Sequence, residues 1–137
     1  MDTPSRRRYP RAMPTVEISR VAIGALLALA VLVAFWPILD NDFLSFDDNT
    51  YVTDNPHVKQ GLTPETIAWS VTATHASNWH PLTWISHILD WEIHGDDPRG
   101  HHLTSLLFHV LNTLLLFTVL RRMTGAVGRS AFVAALF

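Results

Sequence analysis

Two long stretches without a formal charge constrain this chain more than anything else in it. From Val21 to Leu39 it reads VAIGALLALAVLVAFWPIL, and from Leu103 to Leu120 it reads LTSLLFHVLNTLLLFTVL. A helix needs about 20 mostly apolar residues to cross a bilayer core. Both stretches meet that length. Both are apolar nearly all round, so a soluble fold would have to turn apolar surface toward water. A chain of 137 residues has little other protein to wrap around them. The expected class is therefore all-α, a multi-pass helical membrane protein. The first stretch follows a basic segment, as a signal peptide would. Its apolar core is longer than a signal peptide's, and it leads into FWPILDNDF with no small-residue cleavage site. It reads as an uncleaved anchor.

The net charge of −2 hides a partition. Arg6, Arg7, Arg8, Arg11 and Arg20 precede the first stretch, and Arg121, Arg122 and Arg129 follow the second. Between them only Lys59 and Arg99 are basic, while ten of the twelve acids lie there. Short loops rich in Lys and Arg stay in the cytoplasm. The N-terminus and the 121–129 turn are then inside, and the loop between the stretches is extracytoplasmic. Orientation alone accounts for the arginines, so no nucleic-acid partner is expected. The expected order is a basic cytoplasmic N-terminus (1–17), a first span (18–39), an extracytoplasmic loop (40–100), a second span (101–120), a cytoplasmic turn (121–129) and the start of a third span (130–137). The last eight residues, SAFVAALF, are too few to cross a bilayer. The chain therefore reads as an N-terminal fragment.

The 40–100 loop carries its own structure signals. Thr63-Pro64-Glu65 is a helix start, with Thr as N-cap, Pro in the first turn and an acid beside it. PLTWISHILDWEI, residues 81–93, begins on a second proline. Leu82, Ile85 and Leu89 form one stripe of it, and Trp84, Ile88 and Trp91 another. Four of the five tryptophans lie in this loop, and Trp is enriched at the membrane–water interface. Two short surface helices follow, resting either on lipid headgroups or on each other. Gly95-Asp96-Asp97-Pro98 ends the second helix.

Polar residues interrupt the second span. Ser105, His109 and Asn112 share one helical face, and His102 continues it outward. Such residues either bond between helices or line a wet cavity. Seven of the eight histidines fall between 57 and 102. Their spacings match no paired-ligand motif. DNDFLSFDDN lacks the glycine of a calcium loop. With no cysteine there is no disulfide or thiolate metal site.

FDDN, residues 46–49, places two carboxylates, Asp47 and Asp48, just outside the first span. Asp-Asp-Asn is good turn chemistry by itself. A carboxylate there also suits transfer from a lipid-carried donor. The acceptor hydroxyl must lose a proton as the new bond forms, and a positioned carboxylate is a fitting base. A second acid tunes the first by repulsion, orients the acceptor or holds a metal.

The ordered set FLSFDDNTYVTDNPHV, SNWHPLTWISHILD and GHHLTSLLFHVLNTLLLFTVLRRMTG, after a basic start and a first span, resembles the N-terminal part of GT-C superfamily membrane glycosyltransferases. The likeness is to the branch that includes the transmembrane and TPR-containing protein O-mannosyltransferases and their bacterial relatives, and it covers residues 18–137. The resemblance implies Asp47 and Asp48 as the catalytic acids, one of them the base and the other orienting the acceptor or binding a metal. It implies a polyprenyl or dolichyl phosphate sugar as donor and a protein or glycan hydroxyl as acceptor. A divalent metal on Asp47 or Asp48 is compatible with it. His80 stands before Pro81-Leu82, where many relatives carry the arginine of an Arg-Pro-Leu element. His80, His101 and His102 are the candidates for contact with the donor phosphate. Later spans and the tetratricopeptide repeats of that branch are not in this sequence, so the piece alone is expected to be inactive. The membrane would be the plasma or inner membrane of a bacterium, or the endoplasmic reticulum of a eukaryote. Two other readings stand beside this one. One is a non-catalytic scaffold linked to such repeats. The other is a transporter or flippase using the Ser105–His109–Asn112 seam.

Overall fold

The computed structural model describes residues 19–137. The arginine-rich segment expected at 1–17 lies outside the described residues. Those residues are helical, and no strand is formed among them. Helix α1 spans Arg20–Phe35 and runs into a 3₁₀ turn, Trp36–Asp40, that begins around Pro37. Ser19 caps α1, its side chain accepting from the Ala22 N–H at 3.1 Å. Four loop elements follow: a π-turn over Asn49–Thr53, α2 (Pro56–Lys59), α3 (Pro64–Thr72) and α4 (Pro81–His94). Then come α5 (Pro98–Thr124) and α6 (Val127–Ala135).

Each boundary has a local cause. Asp97 caps α5, accepting from the Arg99 N–H, and Pro98 opens it. The helix thus starts three residues before the expected 101, because the cap and the proline fix its first turn. It ends at Thr124 rather than 120. Arg121 and Arg122 complement the negative end of the helix dipole, and Gly125 turns the chain at φ +69°. α6 then begins at Val127, ahead of the expected 130. At 1.5 Å per residue, α5 is about 40 Å long, more than a bilayer core needs.

α1, α5 and α6 pack side by side. Leu27 of α1 meets Phe117 and Ala134, while Val31 and Leu39 meet Leu106. Leu27 thus lies near the end of α5 and Leu39 near its start, so the two helices are antiparallel. The region from Arg20 to Asp40 and helix α5 are each long and apolar enough to cross a membrane. Little of either is covered by the rest of the chain: Val21, Val33, Leu107 and Leu115 stay exposed.

The loop elements build a second core of their own. Trp84 and Ile88 from α4 and Val58 from α2 are fully buried, with Tyr51, Trp69 and Trp91 packed against them. Trp84 is stacked by Tyr51 at 4.9 Å and flanked by Trp69 at 5.1 Å and His80 at 4.9 Å. The stripe of Trp84, Ile88 and Trp91 faces inward, while Leu82, at 80% exposure, and Leu89 face outward. The loop therefore packs on itself along one face of α4 and keeps an apolar face outward along the other.

Caps hold this layer. Thr63 and Thr66 form a reciprocal capping box at the start of α3. Asn55, buried, accepts from the His57 N–H at 3.0 Å and the Val58 N–H at 3.4 Å. Asn55→Ala should lower loop stability by about 1–2 kcal/mol, the cost of a lost N-cap. Thermal unfolding against wild type reads this directly. Gly100 fixes the approach of α5 to α4, since a methyl group there would enter the His94 ring. Gly100→Ala should cost about 1–3 kcal/mol through overpacking. Repeating the measurement with His94→Ala added should recover part of that loss.

Candidate functional site

Above the start of α5 the two layers enclose a small polar cavity of about 80 Å³. It is lined by Phe43, Asp48, Val52, His87, Asp90, His101, His102 and Ser105. Three regions of the chain supply the chemistry: the turn after the 3₁₀ segment, one face of α4, and the first turns of α5. The volume suits a few waters or one small polar group rather than a whole sugar.

The two acids of the pair part company here. Asp48 lines the cavity, and its Oδ2 accepts from the Leu44 N–H at 2.8 Å. That bond closes the turn and fixes the carboxylate, while Oδ1 has no protein partner among the described residues. Asp47 is exposed and does not line the cavity. Of the three candidate phosphate contacts, His101 and His102 line it with Asp48. His80 lies instead against Tyr51 and Trp84.

His101 is held firmly. Its Nε2 meets the Gly95 carbonyl at 2.9 Å and donates the hydrogen bond, since a carbonyl only accepts. Phe43 packs on the ring edge at 5.3 Å. In a neutral ring Nδ1 is then an acceptor, and it is buried without a protein partner. His102 Nε2 is likewise buried and without a partner among the described residues. Buried polar atoms of this kind are uncommon and call for a water, an ion or a ligand.

His87 and Asp90 join the site from α4, and the sequence reading had assigned neither to it. Asp90 is 7% exposed, an unusual burial for a carboxylate. A sequence signal for it existed: Asp90 falls beside the buried stripe of Trp84, Ile88 and Trp91. Burial lowers the pKa of His87, and His101 and His80 push it the same way. Asp90 and Asp48 oppose this but do not reverse it. His87 is therefore a neutral hydrogen-bonding group at neutral pH.

This has a consequence for stability. An ordinary histidine titrates near 6.5, and the folded chain holds the His87 proton less tightly. Below 6.5 the unfolded chain binds more protons, so stability falls as pH falls. The unfolding temperature should be lower at about pH 5 than at about pH 7.5, and His87→Gln should shrink that difference.

Among the described residues, no group of three or more His, Asp or Glu is placed to hold a metal ion. Asp40 and Arg99 form an ion pair at 3.6 Å at the edge of this layer. Both side chains are exposed, so the pair adds little. Compared with protein-family models, with curated proteins and with solved structures, the chain matches none.

Proposed function

We propose that this chain is the N-terminal membrane part of a GT-C-type glycosyltransferase. It would act on the extracytoplasmic side of a multi-pass membrane protein whose N-terminus is cytoplasmic. The donor would be a polyprenyl or dolichyl phosphate sugar, and the acceptor a hydroxyl on a protein or glycan. The single observation that carries the reading is the cavity. It gathers Asp48, from the resemblance's acid pair, with His101 and His102 from the mouth of the second long helix. These residues are more than fifty positions apart in the chain.

The membrane reading draws on exposure. Two long, mostly apolar helices left largely uncovered by their own chain fit lipid better than water. Lipid, or further helices within lipid, supplies the missing cover.

In the proposed reaction, Asp48 takes the proton of the acceptor hydroxyl as its oxygen bonds to the anomeric carbon. The bond from that carbon to the phosphate oxygen breaks, and polyprenyl phosphate leaves with the electron pair. His101 and His102 would donate hydrogen bonds to the departing phosphate when their free nitrogens carry protons. His87, neutral, would hold a water or the acceptor in place. Hydrogen bonds aimed at developing charge in a dry site are the usual large term in such chemistry.

The test is transfer by the full-length membrane protein that contains this chain, supplied with labelled polyprenyl phosphate mannose, with other sugars on the same carrier run alongside. A glycosylated product from one donor is the expected result. No product from any of them, with the protein folded in the bilayer, would overturn the reading.

A further inference from the structure

The opposite end of α5 carries a second feature. The turn at Gly125 folds α6 back against the last turns of α5. Between the two helices lies a groove of about 250 Å³, lined by Leu120, Thr124, Ala126, Arg129, Ser130 and Val133. From His102 to Thr124 is about 33 Å by helical rise, so the groove and the polar cavity sit at opposite edges of a bilayer core that α5 spans. The reaction proposed above uses none of these residues.

The lining is divided in character. Leu120 and Val133 are apolar, and Val133 is 48% exposed. The two hydroxyls have spent their protons. Thr124 Oγ1 donates to the Leu120 carbonyl and Ser130 Oγ to the Ala126 carbonyl, each at 2.8 Å. That leaves Arg129, exposed, as the lining side chain with protons to give. Arg20, Arg121 and Arg122 lie at the same end of the helices, and among the described residues no acid does. Arg121 lies over the Phe117 ring at 5.9 Å and Arg122 is exposed, and neither lines the groove. Among the described residues the ion pair is Arg99 with Asp40, at the far end of α5, so no carboxylate there holds Arg129.

Orientation across the membrane explains why arginines gather at this end. It does not explain why one of them lines a groove with apolar walls. A bare anion would meet one exposed guanidinium in water, which holds little. A hydrocarbon chain alone would leave the guanidinium unused. A molecule with a phosphate beside hydrocarbon uses both, and the neighbouring arginines favour a net negative charge. We propose that this groove binds an anionic phospholipid of the surrounding bilayer, its phosphate on Arg129 and the start of an acyl chain along Leu120 and Val133. The lipid touches the last turn of α5 and the first turns of α6, and so ties the two helices together at their turn. The inference draws on membrane insertion and not on the transferase reading.

The experiment places the full-length membrane protein that contains this chain in phosphatidylcholine nanodiscs. These hold a small share of a phosphatidylglycerol with a diazirine near the carboxyl end of one acyl chain. After irradiation, adducts mapped by mass spectrometry should fall on 120–133. Excess unlabelled phosphatidylglycerol should remove them, while excess phosphatidylcholine or inorganic phosphate should not. Arg129→Gln should reduce them about fivefold, the effect of one basic side chain beside anionic headgroups, and Arg122→Gln, outside the groove, by less than about twofold. Equal losses in the two variants would show a diffuse basic surface and overturn the site. Equal labelling by a matched photoreactive phosphatidylcholine would show that charge plays no part, and competition by inorganic phosphate would show a free-anion site. Either overturns the proposal, as do adducts only elsewhere. The map on wild-type protein decides the matter even where a variant fails to fold. Labelling is read without transfer, so a failure of the transferase reading leaves this site standing.

Discussion

Asp48→Asn should lower sugar transfer on the order of 10²- to 10⁴-fold, the range that a lost general base spans. The substitution is chosen to leave the fold alone. Asparagine keeps an oxygen that can accept from the Leu44 N–H, so the turn that closes on Asp48 remains. Only the ability to take a proton is lost. The fall should appear in kcat, with KM for the lipid donor little changed, because the proposed contacts to the donor phosphate are His101 and His102 rather than Asp48. The protein should also unfold at its usual temperature. An equal fall in melting temperature would instead assign Asp48 a merely structural part.

Trp84→Ala should destabilise the loop layer by about 3–5 kcal/mol, the usual cost of emptying a large aromatic site. Trp84 is fully buried and touches rings from the π-turn, α3 and the segment before α4. Its removal opens the contact centre those pieces share with Val58 and Ile88. Its indole nitrogen has no partner among the described residues, so Trp84→Phe loses no hydrogen bond there and should cost less. Thermal unfolding of the three proteins orders them. Because α4 carries His87 and Asp90, the alanine variant should also lose activity beyond its loss of folded material.

Much of the helix pattern was legible because the signals were local. A charge-free run of the right length, a proline after a capping residue, and a glycine after basic residues each point to one boundary. The same logic missed α2, although Asn55-Pro56 repeats the cap-then-proline signal read at Thr63-Pro64. Four residues gave too short a period to notice. The π-turn over Asn49–Thr53 has no periodic signature at all.

The site was legible only in pieces. The chain names Asp47 and Asp48 as equals, since neighbouring aspartates have the same chemistry and the same local setting. What separates them is a bond from Leu44, formed once the turn folds. His80 stands next to Pro81-Leu82, and its ring packs against Trp84 rather than lining the cavity with His101 and His102. His87 and Asp90 reach the cavity because the tryptophan stripe sets the rotation of α4, a tertiary effect that spacing alone does not reveal. The loop tryptophans invited a lipid-surface reading, and three of them turned inward to build a core.

The most direct test is the ratio of transfer rates of Asp47→Asn and Asp48→Asn, measured in one assay with one donor. The two residues are adjacent and alike, and only Asp48 faces the cavity with His101 and His102. The account predicts that Asp47→Asn stays within about threefold of wild type while Asp48→Asn falls by about 10²-fold or more. Equal activity in both variants, or a loss confined to Asp47→Asn, would contradict it.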